Sequence, residues 1–118
     1  MAAAVITEDM VQPLTPSALA DLLAAGPVDV VDVRDPNEWE SGHIAGSRLV
    51  PLERLRADPD ASLDREATLV FVCAKGVRSM AAAKLADRFG YERVFNLEGG
   101  TKGWVQAGLP LAAHSLAA

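Results

Sequence analysis

Thr68-Leu69-Val70-Phe71-Val72-Cys73, followed by Ala74-Lys75-Gly76-Val77-Arg78-Ser79, is the stretch on which the architecture turns. The first six residues, TLVFVC, are uncharged, β-branched and aromatic, the composition of a strand buried on both faces. Ala74–Arg78 is too polar to continue that strand and contains Gly76. Ser79–Phe89 then reads as a helix, with Lys84, Asp87 and Arg88 on one face, Ala82, Leu85, Ala86 and Phe89 on the other, and Gly90 at its end.

The same alternation extends in both directions. Upstream, Thr15-Pro16 pairs an N-cap with a proline at the first helical position. Leu19, Leu22 and Leu23 give that helix its apolar stripe, and Gly26 stops it. Val28–Val33 (VDVVDV) reads as a second buried strand. Pro36–Ser41 suits a short helix capped by Asp35, Leu49-Val50 a brief strand, and Pro51–Ala57 another short helix. Asp58–Ala67 reads as a surface connection. Downstream, Arg93–Leu97 is a strand, Gly99-Gly100 a turn expected to bring backbone close to the loop after Cys73, and Thr101–Ala107 a last helix closed by Gly108-Leu109-Pro110. Strands alternating with helices predict an α/β fold in three layers, a central, mostly parallel sheet with helices on both faces. Trp39 and Trp104 are expected to plug the core under the short helices.

Length and composition fit one such unit. The chain has 118 residues, one domain on the usual scale. Residues 9–111 are expected to form it, with Met1–Glu8 and Ala112–Ala118 as loose Ala-rich tails. Half the residues are hydrophobic but only 5% are aromatic, and 21 are alanine, so small side chains should pack tightly between the layers. Eleven basic against 16 acidic residues give a net charge of −5, with no basic stripe; this argues against nucleic acid as a partner. No apolar run approaches the roughly 18–20 residues needed to span a membrane, and the start of the chain lacks the basic segment of a secretory signal. A single cysteine, Cys73, cannot form an internal disulfide and points to a reducing, cytoplasmic setting.

Cys73-Ala74-Lys75-Gly76-Val77-Arg78-Ser79 is the place where chemistry is expected. A strand ends there and a helix begins, the usual position of ligand sites in open α/β sheets. A curled loop before a helix points successive N–H groups into an anion-binding hollow, and Gly76 supplies the positive φ such a curl needs. A cysteine at its rim would have its thiolate favoured by those amides, by the helix dipole and by Lys75 and Arg78. Spacing alone also allows a blander reading, in which Cys73 is the last apolar residue of a strand beside two solvated charges. The two readings separate on geometry: a thiol sealed in the core with the next turn splayed away would exclude the first.

The loop resembles the active-site loop of rhodanese-type sulfurtransferases, and the likeness extends beyond it. Val31-Asp32-Val33-Arg34, Glu38-Trp39, Gly42-His43-Ile44, Gly46 and Val50-Pro51 are similar to the family's N-terminal signature. Gly90-Tyr91, Val94, Leu97-Glu98-Gly99-Gly100, Trp104 and Gly108-Leu109-Pro110 are similar to its C-terminal one. Three motifs in order and register cover Leu14–Leu111. Ser47, Leu49 and Val72 depart from the family's usual Ala, Asn and aromatic residue.

The resemblance implies a single-domain rhodanese-like fold in which Cys73 carries sulfur. Its thiolate would attack the outer sulfur of an anionic donor such as thiosulfate, sulfite would leave, and a thiophilic acceptor (cyanide, a thiol or a protein) would take sulfur from the persulfide. Ala74, Lys75, Gly76, Val77, Arg78 and Ser79 would bind substrate, with Arg78 and Lys75 orienting the donor's oxygens. Asp32 and Arg34 lie at the same sheet edge as a possible outer layer, more in keeping with bracing than with binding. His43 is expected to satisfy local backbone. Neither cofactor nor metal is called for. The related phosphatases and arsenate reductases carry a loop one residue longer than the six of Cys73–Arg78, which favours sulfur over phosphate. Two other roles are implied by the same family: a sulfur-relay module loaded by a cysteine desulfurase or another protein, and a regulatory domain, whose hallmark is loss of the loop cysteine that is present here.

Overall fold

A computed structural model describes residues 10–113. Among these residues five strands form one sheet: β1 (Gln12–Leu14), β2 (Asp29–Asp32), β3 (Arg48–Leu49), β4 (Leu69–Val72) and β5 (Val94–Leu97). Their order is β1-β5-β4-β2-β3, and every neighbouring pair is parallel. Among the described residues six helices accompany them: α1 (Pro16–Ala25), α2 (Pro36–Ser41), α3 (Leu52–Ala57), α4 (Pro59–Ser62), α5 (Val77–Arg88) and α6 (Gly100–Gln106). The alternating elements thus build the three-layer α/β fold that the pattern predicts.

The layers follow from strand alternation. Leu69, Phe71 and Cys73 face one side with Val31, Val33, Leu55, Ala82, Ala83 and Ala86. Val70 and Val72 face the other with Leu19, Val30, Ile44, Leu97 and Trp104. β4 lies in the middle of the sheet, and all four of its residues are buried. Thr15 caps α1, its Oγ1 accepting from the Ala18 N–H at 3.1 Å. The carboxylate of Glu38 accepts from the Asp35 N–H at 3.0 Å at the start of α2.

Several elements differ from expectation. β1 carries only three residues and a proline, too little for a periodic signal; it survives because Pro13 sits on an edge strand, where a missing N–H is tolerated. The stretch after Asp58 contains α4, whose Pro59 is buried, so the connection is partly structured. α5 starts two residues earlier than the polar loop suggested and ends before Phe89. Its buried stripe is therefore Ser79, Ala82, Ala83 and Ala86, and Phe89 is 45% exposed. Trp104 is a core plug, its Nε1 donating to Pro110 O at 2.8 Å. Trp39 is not: it is half-buried and stacks on the His43 ring at 3.6 Å. Ala112, expected in the tail, exchanges two backbone hydrogen bonds with His43, at 2.7 and 2.8 Å; residues 1–8 and 114–118 of the two tails, and Asp9 of the expected domain, lie outside the described residues.

Candidate active site

Strand alternation aims Cys73 at the α5 side of the sheet, just beyond the C-terminal end of β4. Ala74, Lys75 and Gly76 then reverse the backbone. Gly76 adopts φ +100°, ψ 0°, a left-handed conformation that side-chain-bearing residues rarely take. The turn wraps the sulfur: the Gly76 N–H donates to Cys73 Sγ at 3.0 Å, and the Ser79 hydroxyl donates to it at 3.2 Å. Cys73 is 1% exposed and Ser79 fully buried. The thiol is thus deep, as the blander reading required, but the turn closes around it instead of splaying away.

The electrostatics oppose burial. Desolvation is the largest single influence and pushes the thiol pKa up. The Ser79 hydroxyl and the N–H groups of Ser79, Lys75 and Gly76 act against it, and together they hold the pKa below its ordinary value. Donors gathered in this way around a buried thiol favour its ionised form.

The turn that follows β5 braces the cradle. The N–H groups of Thr101 and Lys102 donate to Cys73 O (2.8 Å) and Ala74 O (3.0 Å), which directs those carbonyls away from the sulfur. Gly100 makes this approach possible, since a Cβ there would stand 2.3 Å from Cys73 O and 2.5 Å from Ala74 C and O. Asn96, opposite Phe71 on the neighbouring strand, donates through Nδ2 to Gly76 O at 3.2 Å. Its Oδ1 is buried without a partner among the described residues.

The two loop cations differ. Lys75 is exposed and makes no ion pair among the described residues. Arg78 gives both terminal nitrogens to Glu38 of α2, at 2.8 and 2.9 Å. The Arg78 hydrogen bond, aided by the Asp35 N–H and the charges of Arg78 and Arg34, outweighs burial and holds the Glu38 carboxyl at about 2. Glu38 in turn raises the Arg78 pKa, chiefly through the same hydrogen bond. Val77, between Gly76 and Arg78, is 77% exposed.

Asp32 and Arg34 are buried together. Arg34 Nε and Nη2 donate to Asp32 at 2.8 to 3.1 Å, and Nη2 also reaches Gly42 O at 2.8 Å. They tie the end of β2 to the end of α2 and so anchor the helix that carries Glu38. His43 Nδ1 sits 2.9 Å from Trp39 O, bonded to local backbone as its setting suggested. Spacing singles out neither Glu38 nor Asn96, although both side chains bond to the loop. Glu38 is visible in the sequence as half of a capping box, but its partner lies forty residues away. Asn96 carries no local signal at all. No group of three or more His, Cys, Asp or Glu side chains among the described residues is placed to hold a metal.

Residues 15–107 match the family model of the rhodanese-like domain. The chain belongs to the rhodanese-like family. It is 38% identical over 96 residues to the thiosulfate sulfurtransferase GlpE of Pseudomonas aeruginosa, covering 81% of this chain and 86% of that protein. It is 35% identical over 95 residues to the probable adenylyltransferase/sulfurtransferase MoeZ of Mycobacterium tuberculosis, covering 79% of this chain but only 24% of MoeZ. The crystal structure of a rhodanese-related protein from Thermoplasma volcanium superposes with a TM-score of 0.80 at 30% identity, covering 87% of this chain and 99% of that one. The matched region thus makes up most of GlpE and about a quarter of MoeZ.

Proposed function

We propose that this rhodanese-like domain is a sulfurtransferase working through a persulfide on Cys73. The carrying observation is the cradle itself, a thiol held by the Gly76 N–H and the Ser79 hydroxyl in a left-handed turn, with its pKa lowered despite burial. The Cys73 thiolate attacks the outer sulfur of thiosulfate. A sulfur–sulfur bond forms to Cys73 as the bond to the sulfonate sulfur breaks, and sulfite leaves with the electron pair. The amides of Ala74–Ser79 then hold the terminal sulfur's charge. An acceptor nucleophile such as cyanide attacks that sulfur, giving thiocyanate and restoring the thiolate. Loading and unloading each conserve charge and need no redox partner. The identity to a protein named thiosulfate sulfurtransferase supports this donor, and the lone cysteine suits a reducing, cytoplasmic setting.

Intact-mass measurement after incubation with thiosulfate should find one added sulfur atom on the wild type and none on Cys73→Ala, with thiocyanate formation lost in the variant. Equal activity in the two proteins would overturn the assignment. Measurable aryl phosphate hydrolysis, abolished in Cys73→Ser, would instead favour phosphoryl transfer.

A second reading, a relay loaded by a protein persulfide, is favoured by one observation: Arg78, the expected clamp for the donor's oxygens, is already paired with Glu38. The exposed Lys75 and Val77 at the rim are then available to a macromolecular donor or acceptor. Faster loading from a cysteine desulfurase than from thiosulfate would select it.

A further inference from the structure

We infer that Glu38 sets the donor preference of the site by cancelling the charge of Arg78, which turns the cradle away from dianionic donors such as thiosulfate and toward donors that present a persulfide sulfur without a sulfonate. This rests on the persulfide reading above and deepens it. Four observations carry it. The Arg78 guanidinium makes a two-pronged bond to Glu38, so its strongest donor edge faces a carboxylate. Glu38 is itself held in place: its Oε1 accepts from the Asp35 N–H, and its helix is tied to the sheet by the buried Asp32–Arg34 pair through Gly42. Lys75 makes no ion pair among the described residues and is left as the loop's uncompensated cation. The sulfur, by contrast, is held by donors that are neutral, the Gly76 N–H and the Ser79 hydroxyl.

The site therefore stabilises one negative charge, on the sulfur being transferred, while offering little to a second and third charge on a leaving sulfonate. A persulfide donor fits that pattern. The Cys73 thiolate attacks its terminal sulfur, the donor's sulfur–sulfur bond breaks, and the donor leaves as a thiolate with the electron pair. The proton of the persulfide stays on the transferred sulfur or passes to the departing thiolate.

Alkylation of Cys73 by iodoacetate and iodoacetamide separates charge from access, since the two reagents are similar in size and differ by one negative charge. Glu38→Gln keeps an oxygen for the Asp35 N–H and removes the carboxylate charge. It should raise the iodoacetate-to-iodoacetamide rate ratio by about fivefold, the order expected for one charge across a solvated rim. It should also lower the half-saturating thiosulfate concentration by a similar factor, while the loading rate from glutathione persulfide changes much less. Lys75→Gln, at an exposed position that leaves the fold intact, should lower the ratio by about fivefold. Glu40→Gln, an exposed charge change on the same helix, should leave it unchanged. A ratio unaltered in Glu38→Gln, or one that Glu40→Gln shifts equally, would overturn the inference. Should Glu38→Gln fail to fold, an unaltered ratio in Lys75→Gln would overturn it. If wild-type Cys73 took sulfur from neither donor, the sulfurtransferase reading would fall, and the alkylation ratio would still decide what Glu38 does.

Discussion

Two turns leave neighbouring strands of the sheet by the same device and do opposite work. After β4, and again after β5, the chain passes through a left-handed glycine, Gly76 (φ +100°) or Gly99 (φ +76°), into a helix. The first turn points its amides at a sulfur atom. The second points its amides at the carbonyls of the first, Cys73 O and Ala74 O. An amide ring around an anion repels its own carbonyls outward, and those carbonyls need partners when buried. The second turn provides them. The comparison teaches that the receptor is a two-turn assembly, of which only one turn touches the sulfur.

Breaking the bracing turn should cost most. Gly100→Ala places a methyl 2.3 Å from Cys73 O in backbone that cannot yield without moving both turns. We expect a loss of roughly 3–5 kcal/mol or failure to fold, read as the urea midpoint or soluble yield. A fall below about 1 kcal/mol would mean that the two turns are not rigidly joined. Gly76→Ala probes the receiving turn. Its Cβ would meet nothing closer than 3.4 Å, so the cost is conformational, about 1–2 kcal/mol, and falls on the sulfur as a higher thiol pKa. Similar losses in the two variants would remove the distinction between brace and receptor.

Ser79→Ala leaves both turns in place and removes one donor from the sulfur. The Ser79 hydroxyl is the strongest of the influences lowering the thiol pKa. Its loss should raise that pKa, at the cost of one hydrogen bond to a charged group, about 1.5 kcal/mol. Thiolate is the form present above the pKa, so at neutral pH the alkylation rate should fall by up to about tenfold, with the profile displaced to higher pH. An unmoved profile would assign the activation to the backbone amides alone.

The sequence disclosed these two turns unequally. Cys73, Gly76 and Ser79 are within seven residues, so strand end, curl and helix start could be read from local pattern. The bracing turn showed as Gly99-Gly100, whose closeness to the loop the paired glycines suggest, but the carbonyls it meets are set by which strands become neighbours, and β5 pairs with β4 across more than twenty residues of chain. Asn96 and Glu38 lie further from legibility, since each meets the loop through tertiary placement alone. Phe89 shows the converse error: helical spacing puts this apolar residue on one face with Ala82, Leu85 and Ala86, but α5 ends before it, and the sheet is covered instead by the alanines of that helix. Periodicity reports which face a residue would take if the helix reached it, and the helix boundary decides whether it does.

The smallest effect concerns how the receiving turn is tied to α2. The Glu38 carboxyl is held at about 2, against a usual value of 4.5, mainly by its hydrogen bond to Arg78. A folded-state value below the unfolded one means that folding favours the ionised form. The pair's contribution is then complete above pH 4.5, declines as pH falls toward 2, and is absent below that. Arg78 and Glu38 are 38% and 34% exposed, so screening keeps the contribution small. The gap in urea midpoint between wild type and Glu38→Gln should therefore narrow from pH 6 to pH 3. A gap equal at both would show that the ionised pair does not help hold α2 against α5. The brace from Thr101 and Lys102 consists of backbone amides, which have no proton to gain over this range. The extra loss caused by Gly100→Ala should accordingly be the same at both pH values, so that acid loosens the α2 contact and leaves the bracing turn as it was.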